Sequence, residues 1–275
     1  MQLIDWQSYA HGEHRISCPS CSRGGKDKTA GLTVEADGGV AHCFRCSFIE
    51  TFKPERGAVV RMPTITPERK VQQKHEVLSQ WGRDLWSQCR VIDGVALEYL
   101  AYRRCCIPPP DGDLRWHPDV RHPSGYTGPA LVALVTCATT REPLSLHRTW
   151  IRAQGKADVT PVRMPLANHS LKNGVIRLWS DEFVTHGLGI AEGIESALSL
   201  AHGCTPVWAT IDAGHMAKFA VIPSVEILTI AADNDQAGLN AARECASRWV
   251  SAGKKVLVTR QRTNDVNDLL AEVAL

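Results

Sequence analysis

The sequence predicts a multi-domain α/β chain: a small cysteine-bearing β-ribbon, a mixed α+β subdomain rich in basic residues, and a final α/β subdomain on a parallel sheet. Three observations carry that expectation. Two Cys-x2-Cys pairs frame a short Gly-rich stretch near the N-terminus, strand-like and helix-like segments alternate four times from residue 187 onward, and charge is distributed unevenly along the chain. The expected boundaries are a ribbon at 1–55, a linker at 56–80, a basic subdomain at 81–180 and the parallel-sheet subdomain at 181–275.

In the ribbon, Cys18 and Cys21 precede the apolar run Gly31-Leu32-Thr33-Val34, a Gly38-Gly39 turn, and Cys43 with Cys46. Pro54, Pro63 and Pro67, with few large apolar neighbours, mark the linker. Spaced apolar positions over 68–89 and 95–102 predict helices, which stop before Pro108-Pro109-Pro110. Val-, Leu- and Ile-rich runs at 130–137, 144–151 and 175–179 predict strands. Strands at 188–191, 206–211, 226–232 and 255–260 then alternate with helices at 194–201, 215–220, 236–251 and 266–273, which requires parallel pairing beneath crossover helices.

The spacing Cys18-x2-Cys21-x21-Cys43-x2-Cys46 suits a closed tetrahedral site for structural Zn²⁺, with His42 a surface or supporting group. So short a segment has too little core to fold without metal. Arg23, Lys26, Lys28, Phe44 and Arg45 supply cations and an aromatic ring of the kind that grips phosphate and stacks on an unpaired base, or they are ordinary surface. The other six cysteines are expected as free thiols.

The predicted strand at 188–191 ends in Glu192-Gly193-Ile194-Glu195, and the strand at 226–232 ends in Asp233-Asn234-Asp235. A third cluster, Asp265, Asn267 and Asp268, follows the last predicted strand. Carboxylates at the C-terminal edge of a parallel sheet lie where such sheets bind ligands, and oxygen donors there suit a hard cation, Mg²⁺ or Mn²⁺. Either of Asp233 and Asp235 can instead cap the following helix, and Glu195 can serve its helix dipole or function.

These residues resemble a known family. Ala191-Glu192-Gly193-Ile194-Glu195-Ser196, Ala232-Asp233-Asn234-Asp235-Gln236-Ala237-Gly238 and Asp265-Val266-Asn267-Asp268 resemble the three acidic motifs of Toprim domains, most of all those of Toprim-type DNA primases from phages, plasmids and other mobile elements, where a zinc ribbon precedes the catalytic core. Tyr99-Leu100 with Arg103, the segment His147-Arg148-Thr149-Trp150 with Gly155-Lys156-Ala157, and the strand Val175-Ile176-Arg177-Leu178 resemble elements of the same family. The chain departs from it where Arg104, not glycine, follows Arg103.

The resemblance implies that a template-binding ribbon and a Toprim core make short RNA primers on single-stranded DNA from ribonucleoside triphosphates. Glu192, Asp233, Asp235 and Asp268 would be catalytic, with Asp265 joining them around Mg²⁺. Arg148, Arg152, Lys156, Lys172 and Arg177 would contact nucleotide or template phosphate. The rival readings are a Toprim nuclease and a non-catalytic zinc-dependent single-strand binder serving replication.

Segments 1–55, 56–180 and 181–275 carry net charges of −1, +8 and −5, the middle with 18 Lys plus Arg against 10 Asp plus Glu, which attracts a polyanion unless the charges are solvated surface. With no apolar run of spanning length and no secretory leader, the chain is expected in the cytoplasm and off the membrane. It carries no Gly-x4-Gly-Lys-Ser/Thr loop, so a separately encoded helicase or replication initiator is the expected partner.

Overall fold

A computed structural model describes residues 3–22, 28–53, 75–259 and 265–268. Arg23, Lys26, most of the expected linker and the end of the last expected helix lie outside the described residues. The chain forms two compact units, Met1–Val71 and Gln72–Leu275.

The first unit is an antiparallel sheet of β1 (Gly12–Ile16), β2 (Ala30–Glu35), β3 (Gly38–Cys43) and β4 (Ile49–Phe52), in that order. Leu32 and Val34 of β2 alternate inward against Ile4, Trp6 and Ala41, and Trp6 stacks on Phe52 with ring centroids 5.9 Å apart. The hairpin turn is not the expected Gly-Gly pair. Glu35 pairs with Gly38, so Ala36-Asp37 turn the chain and both glycines open β3. They are required by close approach instead: a Cβ on Gly38, at φ +150°, would lie 2.3 Å from the Phe52 carbonyl, and one on Gly39 would lie 2.6 Å from the Trp6 ring.

The second unit begins with α1 (Gln80–Gln88), capped where the Ser79 hydroxyl accepts from Gly82 N, and α2 (Gly94–Tyr102). There follow β5 (Leu114–Arg121), β6 (Thr127–Cys137), β7 (Pro143–Arg152), β8 (Gly155–Lys156), β9 (Arg163–Pro165) and β10 (Gly174–Arg177). Then come β11 (Gly187–Ala191), α3 (Ile194–Leu200), β12 (Val207–Ala209), α4 (Ala213–Ala217), β13 (Ile227–Ala231), α5 (Gln236–Ser251) and β14 (Lys255–Thr259). All ten described strands belong to one sheet, with the path β14-β13-β11-β12-β10-β6-β7-β8, β5 on β6 and β9 on β7.

β11 to β14 pair in parallel, as the alternating pattern predicts. β10 pairs antiparallel with both β12 and β6, which fuses the basic antiparallel half and the acidic parallel half into one sheet. The order β12-β11-β13 places α3 on one face, where Ala197 and Leu198 pack with Ala191 and Ala231. α4 and α5 cover the other face, where Met216, Ala241, Cys245 and Trp249 pack on Leu188, Ile190, Leu228 and Ile230. The chain therefore leaves β11 and β13 in opposite directions, and a crevice opens between their C-terminal ends. Among the described residues no helix is long and apolar enough to cross a membrane.

Candidate active site

Glu192 follows β11 directly, and Asp233 lies one residue beyond Ala232 at the end of β13. The pairing of Ala191 with Ala231 sets these two acids side by side at the crevice. Both are half-buried, and Glu192 Oε1 and Asp233 Oδ1 are buried oxygens that meet no donor. Gly238 makes this possible, because a Cβ there would lie 2.8 Å from Glu192 Oε1 and 2.6 Å from the Asp233 carbonyl.

Burial, with Asp233 and Asp235 nearby, pushes the Glu192 carboxyl up to about 8. Burial likewise pushes Asp233 up to about 6, with Asp265 and Asp235 adding to it. Asp235 is exposed and caps α5, its Oδ1 accepting from Gly238 N at 2.8 Å. Asp265 Oδ1 accepts from Asp268 N and so shapes the last turn. Asn267 anchors that turn: its buried amide donates to Ser199 Oγ at 2.9 Å and to the Arg103 carbonyl.

Crowded carboxylates with unpartnered oxygens and raised proton affinity fit a divalent cation. Among the described residues only the four cysteines gather three or more ligand atoms within 4.8 Å of one another. Mg²⁺ keeps several waters and takes one or two protein carboxylates, a demand that Glu192 and Asp233 alone meet.

Glu195 is not a mere dipole partner. Buried in α3, it accepts from Tyr99 Oη at 2.7 Å and pairs with Lys156 Nζ at 3.1 Å. Burial alone would raise its carboxyl, but Lys156 and the Tyr99 hydroxyl hold it below the usual carboxylate range. Of the expected phosphate contacts, Lys156 is tied to Glu195. Arg148 is buried over the Trp150 ring and donates to the Pro165 carbonyl. Arg152 is exposed, its Nε on the Lys156 carbonyl. Lys172 is exposed and lines a cavity beside α4.

Arg177 has a different role from the one expected. Its guanidinium is buried over the Trp208 ring, and it donates to Asp181, Thr136 and the carbonyls of Cys137 and Ala138, so the protein consumes its donors. Sequence reasoning missed Arg163, an exposed residue of β9 whose Nη1 reaches within 3.7 Å of where a Gly193 Cβ would stand. Arg163 opposes the proton on both Glu192 and Asp233. A lone arginine in a three-residue strand leaves no signal in one sequence.

In the first unit, Cys18 and Cys46 sulfurs lie 3.7 Å apart and those of Cys21 and Cys43 3.6 Å apart. A tetrahedron with sulfurs about 2.3 Å from a central ion has edges of about 3.8 Å, so the set fits Zn²⁺. Ser20 N and Arg45 N each donate to a cysteine sulfur two residues back at 3.3 Å, which stabilises thiolate. His42 is exposed and edge-on to the exposed Phe44, over which Arg15 sits at 4.5 Å.

Residues 187–274 match the family model described as Toprim domain, and residues 76–178 match a domain of unknown function, DUF7146. No match is found among curated proteins. Among solved structures, the primase fragment of the bacteriophage T7 primase-helicase protein is similar at 16% identity and a TM-score of 0.46, over 94% of this chain and 95% of that one. The Aquifex aeolicus primase, in its zinc-binding and RNA polymerase domains, is similar at 13% identity and a TM-score of 0.47, over 98% and 80%. A DNA primase domain from Pseudomonas aeruginosa gives 15% identity and a TM-score of 0.37, over 66% and 56%.

Proposed function

We propose that this chain, whose residues 187–274 form a Toprim domain, is a DNA primase that joins ribonucleotides on single-stranded DNA. The observation that carries the reading is the pair of donor-less buried oxygens, Glu192 Oε1 and Asp233 Oδ1, at the crevice between β11 and β13. Glu192, Asp233 and Asp235, with Asp265 and Asp268 beside them, would hold Mg²⁺ or Mn²⁺, which would neutralise charge on the attacking and leaving oxygens of the transfer. Arg163 acts on Glu192 and Asp233, Lys156 pairs with Glu195 three residues beyond Glu192, and both would take the triphosphate. Glu195 and Tyr99 fix the direction of the Lys156 ammonium.

The exposed Phe44 ring, with Arg15 and His42, suits an unpaired base and its phosphate, which supports a template role for the zinc ribbon. The assay is purified chain with single-stranded DNA, labelled ribonucleotides and Mg²⁺. Short RNA products are expected, and Glu192→Gln or Asp233→Asn is expected to abolish them while DNA binding persists. Cleavage of end-labelled DNA without RNA synthesis would identify a nuclease and overturn the reading. These 275 residues carry no phosphate-loop ATPase motif, so the pure chain is expected not to unwind a forked duplex with ATP.

A further inference from the structure

Beyond the C-terminal end of β12 lies a cavity of 580 Å³ between β10 and α4, lined by Lys172, Asn173, Asp212, His215, Lys218 and Phe219 among others. Its charge follows from hydrogen-bond geometry. His215 Nδ1 lies 2.8 Å from Asp212 Oδ1 and its Nε2 lies 2.9 Å from the Leu171 carbonyl, and both partners are acceptors. Both contacts suit an imidazolium, and the hydrogen bond to Asp212 raises His215 above the ordinary imidazole value, so the ring pairs with the one carboxylate of the cavity.

Lys172 and Lys218 are exposed at the same cavity, and their ammonium groups have no partner among the described residues. The cavity therefore presents two unpartnered lysine ammonium groups and a His215–Asp212 pair against an apolar wall that includes Val175 and Phe219. The backbone that aims Asp212 is strained: Ile211 has φ +77°, and Asp212 N donates to the Thr210 carbonyl two residues back. A β-branched residue in that region is rare, and such strain persists where a site is held in place by its surroundings.

We infer that this cavity binds a nucleoside 5′-triphosphate independently of divalent metal, and that it holds the nucleotide whose 3′-hydroxyl starts the chain. The cations fit a polyphosphate, and the volume falls within the roughly 300–1,000 Å³ of small-ligand sites. Its position fits the role, because Ala191 pairs with Ala209 and Thr210 N donates to the Ala191 carbonyl, so the chain enters Glu192 and Asp212 from neighbouring strand ends. The first half of the inference stands on the cavity alone, and the second rests on the primase reading.

The test is calorimetric titration of the full chain in EDTA with ATP, inorganic triphosphate and adenosine. ATP and triphosphate are expected to bind and adenosine to bind far more weakly. Lys172→Ala with Lys218→Ala should weaken ATP binding about tenfold, with the melting temperature unchanged and with binding restored by the paired arginine variant. In the priming assay the alanine pair should raise the KM for the starting nucleotide and leave extension of a preformed dinucleotide unaffected. ATP binding that ignores both lysines overturns the inference, as does loss of single-stranded DNA binding alone, which would make the cavity a groove for the template backbone. Lysine-dependent ATP binding in a protein that makes no primer would support the cavity site and sink the primase reading instead.

Discussion

Glu192 and Asp233 each keep one buried oxygen that no donor reaches, and each keeps its proton to a higher pH than an exposed carboxyl. A group whose folded pKa is raised contributes stability at low pH that is lost as pH rises through the folded value. Metal-free protein is therefore expected to lose thermal stability as pH climbs from about 5 to about 9, and Glu192→Gln should flatten that slope. Mg²⁺ held by these acids would have to displace their protons, so its stabilising effect is expected to be larger at about pH 9 than at about pH 6. Melting curves with Mg²⁺ and with EDTA check both, and an equal Mg²⁺ effect at the two pH values would exclude these acids as ligands. Glu195 has the opposite sign. Its lowered carboxyl contributes stability above its ordinary value of 4.5, lost as pH falls toward the folded value. Glu195→Gln should cost roughly 1–3 kcal/mol near neutral pH, less than a fully buried pair because Lys156 is 32% exposed, and the deficit should shrink below about pH 4. The acids were legible because acidic residues after apolar runs need only chain order to be noticed. The partnership of Glu195 with Tyr99 and Lys156 was not, since it joins residues from three elements far apart in the chain.

Elements with one strong period were readable and those with mixed signals were not. α5 spans the predicted 236–251 because Gly238, Ala241, Ala242, Cys245 and Trp249 recur at helical spacing and are all buried. β5 gave no comparable signal: Pro118 cannot donate to a ladder, and the pairing with β6 slips between His117 and Val120 to accommodate it. The end of α2 shows a departure with a measurable consequence. Cys105 N donates to the Leu100 carbonyl and Arg104 N to the Ala101 carbonyl, with Arg104 at φ +54°. That is the Schellman stop, in which a left-handed residue ends the helix. Glycine takes this conformation without strain, whereas a side chain adds about 1 kcal/mol. With the arginine side chain absent from both, Arg104→Gly should be more stable than Arg104→Ala by about 1 kcal/mol in denaturant unfolding. Equal stability would mean that the left-handed turn is not kept in solution.

At the scale of the whole molecule each unit is stabilised internally by different means. The second has large apolar clusters on both faces of a ten-stranded sheet, from Tyr99, Leu131 and Ile176 on one side to Trp208, Ile230 and Trp249 on the other. Its fusion through β10 was not legible, because the antiparallel pairing of one four-residue strand with β6 and β12 depends on tertiary geometry that no local pattern encodes. The first unit was legible in its ligands, since two Cys-x2-Cys turns need no tertiary information to bring sulfurs together. Among the described residues its buried apolar core away from the cysteines is Ile4, Trp6, Leu32, Val34 and Ala41, too small to offset the chain entropy of the residues ordered around it. Structural Zn²⁺ in comparable sites contributes roughly 10–16 kcal/mol to folding, enough to decide whether the ribbon exists. Purified protein should contain one zinc per chain. Cys43→Ser, or exhaustive chelation, should abolish the zinc and open amide protection in β2 and β3 while protection in β11 and β13 is retained. Hydrogen exchange followed by mass spectrometry reads the two units in one experiment, and full protection of β2 and β3 in a zinc-free Cys43→Ser protein would refute the metal as the source of the ribbon's stability.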